Sequence, residues 1–292
     1  MSGLEILDAG ALVTVQDRGR VGAAHLGVPR AGAADLAAHD AANALVGNDP
    51  SAATLEATML GVRVRARGAT VLAVTGARCE VFVGGVRAPW GAPFRVGRGQ
   101  VVEVGAAVAG ARAYVAVRGG IDVAPVLGSR SADTLSGLGP APVRAGDVLP
   151  VGEAHPRDDE LFRATRGAAA AAPSLEQERG AAALSVVPGP RWEWLGARGW
   201  ATLLAREWTV SVYSNRVGVR LAGESLARAR AGEIPSEGMV RGAVQLPPSG
   251  LPVIFLADHP TTGGYPVVAI VREGSHSRLA QARPGDTLRL VG

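Results

Sequence analysis

Short apolar runs, broken at Gly, Pro, Asp and Asn, fill most of this chain, as in "TVLAVTGARCEVFVGG", "ARAYVAVRGG", "LPVIFLA" and "YPVVAIV". Their length and punctuation predict short β-strands. Two stretches carry a helical period instead. In "DLAAHDAANALVGN" the Asp35 carboxylate is placed to cap the amino end, and Gly47 with Asn48 to close the other. Asn48, Asp49 and Pro50 then predict a further short turn of helix. The second stretch, "RWEWLGARGWATLLAREW", holds four of the five tryptophans, at a spacing that predicts one buried helix face. The fold class expected is mainly β, a β-rich α+β protein with a few short helices.

Two segments rhyme. "VRAGDVLPVG" from Val143 and "ARPGDTLRLVG" from Ala282 each read as a turn followed by a closing strand. A weaker echo pairs "LEATMLG" at Leu55 with "SEGMVRG" at Ser236. Both point to duplicated barrel-like halves. Between them "HPRDDELFRATRGAAAAAPSLEQERGAAA" is charged and alanine-rich with no strand alternation, which marks a linker; "SLEQ" at Ser174 has capping-box spacing and can start a short helix. The expected organisation is a first domain over residues 1–155, a linker over 156–183 and a second domain over 184–292.

Composition narrows the chemistry. The 292 residues include 40 glycines and one cysteine, Cys79, which excludes an internal disulfide framework and a multi-thiolate zinc site. The histidines show no paired ligand spacing, so no metal is expected. All 30 basic residues are arginine. The pI of about 10.1 therefore overstates a net charge of only +4, and the dispersed arginines argue against nucleic acid. Without lysine there is no P-loop lysine, no Schiff base and no biotinyl-lysine in this sequence. ATP or biotin, if used, is expected on partner subunits, with no cofactor bound by this chain. No apolar run approaches the roughly 18 residues of a membrane span, and no secretory leader is evident, so a cytoplasmic protein is expected. No Gly-x-Ser-x-Gly elbow is present.

The strongest candidate site is "LADHPTTGGYPVVAIV". An apolar strand stops at Asp258 and resumes after Tyr265, leaving a loop whose Gly263 and Gly264 can take positive φ and point N–H groups at a carboxylate or developing oxyanion. Asp258 and His259 are the proton-moving candidates, and the Thr261 and Thr262 hydroxyls can orient a substrate. "SEGMVRGAVQLPPSG" adds Glu237 as a base, Arg241 as a carboxylate clamp and Gln245 as an amide partner. "SNRVGVRL" adds Asn215 and Arg216, and "RGGIDVAPVLGSRSADT" adds Arg118, Gly119, Gly120, Ser129, Arg130 and Asp133.

Taken in order, "TVQDRGRVGAAHLGVPRAGAADLAAHDAANALVGN", "LEATMLG", "VRGGIDVAPVLGSRS", "SNRVGVRLAG", "SEGMVRGAVQLPP" and "DHPTTGGYPV" resemble the allophanate hydrolase subunit 2 family. Its members include the C subunit of ATP-dependent 5-oxoprolinase, KipA and part of the carboxyltransferase region of urea amidolyase. The resemblance implies two cyclophilin-like β-barrel domains and a cytoplasmic complex that opens 5-oxo-L-proline to L-glutamate. The partners implied are a KipI-like protein of the allophanate hydrolase subunit 1 type (the 5-oxoprolinase B subunit), the 5-oxoprolinase A subunit, and a small amide substrate. The alternatives are a KipA-like regulator of a KipI-type kinase inhibitor, or a biotin-dependent carboxyltransferase module acting on urea-like amides. Thr261, Thr262, Gly263, Gly264 and Tyr265 match the family's motif; Pro260 departs from it.

Overall fold

The computed structural model describes residues 3–154 and 181–292. The linker reading over 156–183 and the capping box at Ser174 fall almost wholly outside them. The described residues form two compact units: one comprises 3–20, 31–133 and 137–154, the other 21–30, 134–136 and 181–292. Among the described residues no helix is long and apolar enough to cross a membrane.

The first unit is mainly antiparallel β. In chain order it contains β1 (Gly3–Asp8), β2 (Leu12–Gln16), helix α1 (Leu36–Val46), β3 (Thr54–Thr58), β4 (Val62–Ala66) and β5 (Thr70–Arg78). Then come β6 (Val81–Val83), β7 (Val86–Ala88), β8 (Phe94–Val96), β9 (Val101–Val104), β10 (Ala109–Val117) and β11 (Val148–Pro150). One sheet runs β11-β1-β4-β9-β6-β7 and the other β2-β3-β10-β5-β8. Strand β4 shows the half-buried pattern plainly: Val62, Val64 and Ala66 are buried while Arg63 and Arg65 face solvent. Residues of both sheets share one core, with Ile6, Val64 and Val102 from one and Val15, Leu55, Leu72 and Val115 from the other. The barrel expected for this half is not observed: two separate sheets pack face to face.

Strand β10 is buried on both faces, which is why it reads as an unbroken apolar run. Ala113, Val115 and Val117 enter the core between the sheets. Tyr114 and Ala116 meet Ala38, Ala42, Leu45 and Val46 of α1. That helix forms as its sequence requires: the Asp35 carboxylate accepts the Ala38 N–H at 3.1 Å, and Gly47 closes it at φ 76°. The extra helical turn expected at Asn48–Pro50 is instead a non-helical turn, in which Asp49 accepts the Ser51 N–H at 2.8 Å and hydroxyl at 2.6 Å.

The second unit contributes β12 (Ala182–Pro188), β13 (Glu207–Val210), β14 (Gly218–Ala222), β15 (Glu237–Gly238), β16 (Ala243–Gln245), β17 (Val253–Phe255), β18 (Thr262–Gly263), β19 (Val267–Val271) and β20 (Thr287–Val291). Seven of these close a barrel, ordered β12-β19-β16-β17-β14-β13-β20. Outside it β15 pairs with β18. Helix α2 (Gly196–Ala205) precedes β13, and the short α3 (His276–Ala280) precedes β20. The tryptophan-rich stretch is therefore shorter as a helix than its spacing predicts. Trp194 lies in a 3-10 turn, Trp192 is exposed, and Trp208 is a fully buried strand residue whose indole N–H donates to the Leu203 carbonyl at 3.1 Å. An indole on β13 can lie close to α2 without belonging to it.

The rhyming segments fold alike. The Arg144 N–H donates to the Asp147 carboxylate at 2.7 Å and the Asp147 N–H to the Arg144 carbonyl at 3.1 Å; the Arg283 and Asp286 bonds measure 2.8 and 3.0 Å. Gly146 and Gly285 sit at φ 94° and 90°. Each turn then docks on one strand residue: the Gly146 N–H and Asp147 carbonyl bond Ile6, and the Gly285 N–H and Asp286 carbonyl bond Val210, all at 2.8 Å. The weaker echo holds as well, since Gly61 and Gly242 take φ 77° and 83° immediately before β4 and β16.

Candidate functional site

The barrel leaves β17 at Phe255 and re-enters at Val267, and the intervening chain is the polar segment singled out in the sequence. It is not a tight hairpin. Its middle forms β18, where Gly263 lies opposite Glu237 and Thr262 opposite Gly238, and the Met239 N–H donates to the Thr261 carbonyl at 2.9 Å. This small ribbon fixes Glu237, Thr261, Thr262 and Gly263 as neighbours.

At the start of the segment, Asp258 is fully buried and receives four hydrogen bonds. Arg216, also buried, donates Nε to Oδ2 and Nη2 to Oδ1, each at 2.9 Å, in a bidentate fork. Thr134 donates its N–H at 2.9 Å and its hydroxyl at 2.6 Å to Oδ2. The Asp258 N–H returns a bond to the Arg216 carbonyl at 3.1 Å. In a low-dielectric interior this mutual satisfaction is what makes two buried charges tolerable. The structure thus joins two residues whose sequence contexts suggest separate tasks.

His259 follows, nearly buried, with its ring 6.3 Å from that of Phe255. Its Nδ1 lies 2.8 Å from the Pro260 carbonyl oxygen, which can only accept, so Nδ1 carries a proton in this bond. The Thr261 hydroxyl reaches the Gly27 carbonyl at 3.5 Å. Thr262 and Tyr265 are exposed.

Neither Gly263 nor Gly264 has the positive φ expected of it. Gly263 is packed closely instead: a Cβ there would lie 2.6 Å from Gln245 Nε2 and 3.3 Å from Met239, so these side chains would have to shift. Gln245 is buried and braces the loop from beneath, donating Nε2 to the Tyr265 carbonyl at 3.1 Å and to the Met239 sulfur at 3.4 Å. Glu237 is engaged by Arg191, whose Nε reaches both carboxylate oxygens at 2.9 and 3.2 Å and whose Nη2 also donates to Oε1. Those bonds from Arg191 hold the Glu237 carboxyl below the usual range and weaken it as a base. Asn215 forms an exposed turn, its side-chain oxygen accepting the Val217 N–H at 2.9 Å. Arg241 is half-buried; burial first, and then the Arg241 charge, pull the His276 imidazole below its ordinary value.

Thr134 was not identified from the sequence, because 124 residues separate it from Asp258. Ser129, Arg130 and Asp133 belong to the first unit. There Asp17 accepts the Ser129 hydroxyl at 2.6 Å, the Ser131 hydroxyl at 2.5 Å, the Arg130 N–H at 2.6 Å and the Gly19 N–H at 2.8 Å. Burial alone would raise the Asp17 carboxyl, but these four donors outweigh it and hold it below the usual range. Among the described residues no three His, Cys, Asp or Glu side chains gather as a metal site requires.

The carboxyltransferase domain model, subdomain A and B, matches residues 26–292. The C subunit of 5-oxoprolinase from Escherichia coli (strain K12) is 36% identical over 99% of this chain and 90% of its own length. Urea amidolyase of Saccharomyces cerevisiae is 32% identical over 99% of this chain but only 16% of its own length. The crystal structure of TTHA0988 superposes with a TM-score of 0.83 at 32% identity, covering 100% of this chain, which spans 56% of that one. With nearly the whole sequence matched and the fold shared, the chain belongs to the carboxyltransferase domain family, subdomain A and B.

Proposed function

We propose that this chain is the C subunit of a multi-subunit, ATP-dependent 5-oxoprolinase that opens 5-oxo-L-proline to L-glutamate. One observation carries the reading: the likeness to a 5-oxoprolinase C subunit runs through 90% of that protein, whereas the urea amidolyase likeness uses 16% of a much longer one. A KipI-like B subunit and an A subunit complete the enzyme in the cytoplasm, and the cyclophilin-like kinship of the two units is part of the same proposal. ATP is handled by the partners, in keeping with a sequence that has no lysine for a P-loop.

Opening a lactam requires a more electrophilic carbonyl carbon, a nucleophile, and a proton for the departing nitrogen. Within this chain His259, its ring held by the Nδ1 bond to the Pro260 carbonyl, is assigned the proton transfer. The Asp258–Arg216–Thr134 cluster positions the entry to the loop, and Arg241 is assigned the substrate carboxylate. The loop threonines orient the amide. In the reconstituted complex His259→Ala is expected to lower 5-oxoproline turnover by about 10²-fold or more while the complex still assembles. Unchanged turnover would remove His259 from the chemistry.

The family model and the urea amidolyase likeness favour a second reading, carboxyl transfer to a urea-like acceptor. It requires a biotin carrier on another chain, because no lysine here can hold biotin. A KipA-like regulatory role predicts complex formation without turnover of either substrate.

A further inference from the structure

A cavity of about 400 Å³ lies in the second unit, walled by α2 on one side and residues 224–229 on the other. The helix lines it with Arg198 and Thr202, four residues apart and hence on one face, and Arg206, the extended residue that follows the helix, adds to the same wall. Gly199, also in the lining, packs against Leu195, where a Cβ would lie 3.1 Å from the Leu195 Cβ. The opposite wall supplies Glu224 and Arg228. Three guanidinium groups therefore meet one carboxylate.

Their bonding states differ. Arg206 is spent on Glu224, donating Nη1 to its carbonyl at 2.9 Å and Nη2 to its carboxylate at 2.7 Å. Arg228 is held in place by an Nη2 bond of 2.7 Å to the Leu246 carbonyl and by the Trp194 ring, 5.8 Å from its guanidinium carbon. Its Nε is buried and meets no acceptor among the described residues. A charged donor buried without an acceptor costs free energy. Arg198 is exposed and makes no ion pair among the described residues. It also sits in the first turn of a helix that has neither a side-chain cap nor an acidic residue there, where a cation is unfavourably placed against the helix dipole.

We infer that this cavity is a binding site for a small molecule bearing an oxyanion, a phosphate or a carboxylate, clamped between Arg198 and Arg228. Planar guanidinium forks suit both groups, and the neighbouring Leu195 and Leu226 side chains accept a short aliphatic body. The site uses no residue of the 258–265 loop and does not depend on the 5-oxoprolinase reading.

Isothermal titration of the whole chain at low ionic strength, with inorganic phosphate in one arm and glutarate in the other, tests it. The expected result is saturable one-site binding of at least one probe; the arm that responds identifies the oxyanion class. Loss of one charge-assisted contact is expected to weaken binding about tenfold or more in Arg198→Ala, while Arg272→Ala, an exposed arginine outside the cavity, binds as the wild type does. Arg198 makes no side-chain bond among the described residues, so its variant reads binding rather than folding. Absence of saturable heat in both arms, or an Arg198→Ala titration matching the wild type, would overturn the inference.

Discussion

Asp258 and Arg216 illustrate how much depends on a single buried pair. Replacing Arg216 with Met leaves a buried carboxylate facing only Thr134, and breaking such a pair costs about 3–5 kcal/mol. Urea denaturation of Arg216→Met is expected to show that loss, and Arg216→Met with Asp258→Asn a smaller one, because the second change removes the stranded charge. A second residue-scale prediction concerns acid. The folded Asp17 carboxyl titrates below its unfolded value of about 3.9, so its stabilisation is present above that pH and fades as pH falls through the folded value. The melting temperatures of wild type and Asp17→Asn should differ most above pH about 5 and converge below pH about 4. At this scale the sequence identified which residues carry chemistry and missed how they are used. Asp258 and Arg216 were both visible, but their pairing spans 42 residues and Thr134 lies 124 residues away. The sequence points to Gly263 for its freedom of φ, whereas its setting is a close approach of Gln245, a neighbour that only the fold supplies.

Elements were legible where local physics decides them. Helix α1 starts at Asp35 and ends at Gly47 because its cap, its alanine-rich body and its left-handed terminus all lie within a dozen or so consecutive residues. Asp35→Ala is expected to cost about 1 kcal/mol, measured as a lower midpoint in chemical denaturation. The Arg-x-Gly-Asp turns are equally local, and both halves form them with the same bonds. Where the outcome depends on partners further along the chain, the pattern misleads. Trp208 shares a helical spacing with its neighbours, but the residue that decides its state is Leu288, its partner on β20.

At the scale of the whole molecule, the duplication seen in the turns did not produce two identical halves. The second closes its barrel through the parallel pairing of β12 with β20, while β1 in the first unit pairs with β11 and β4, both antiparallel. Strand closure is a non-local property, and no turn motif encodes it. In the proposed complex, function is likewise a property of the assembly: this chain contributes a braced polar loop and no lysine, and ATP chemistry falls to its partners. The most direct measurement is ATP hydrolysis by the complex reconstituted from this chain and the two proposed partner subunits, with and without 5-oxo-L-proline. Hydrolysis is expected to depend on 5-oxoproline, to yield L-glutamate and to disappear when this chain is omitted. Turnover unaffected by the omission, or turnover only of urea with a biotin carrier present, would contradict that expectation.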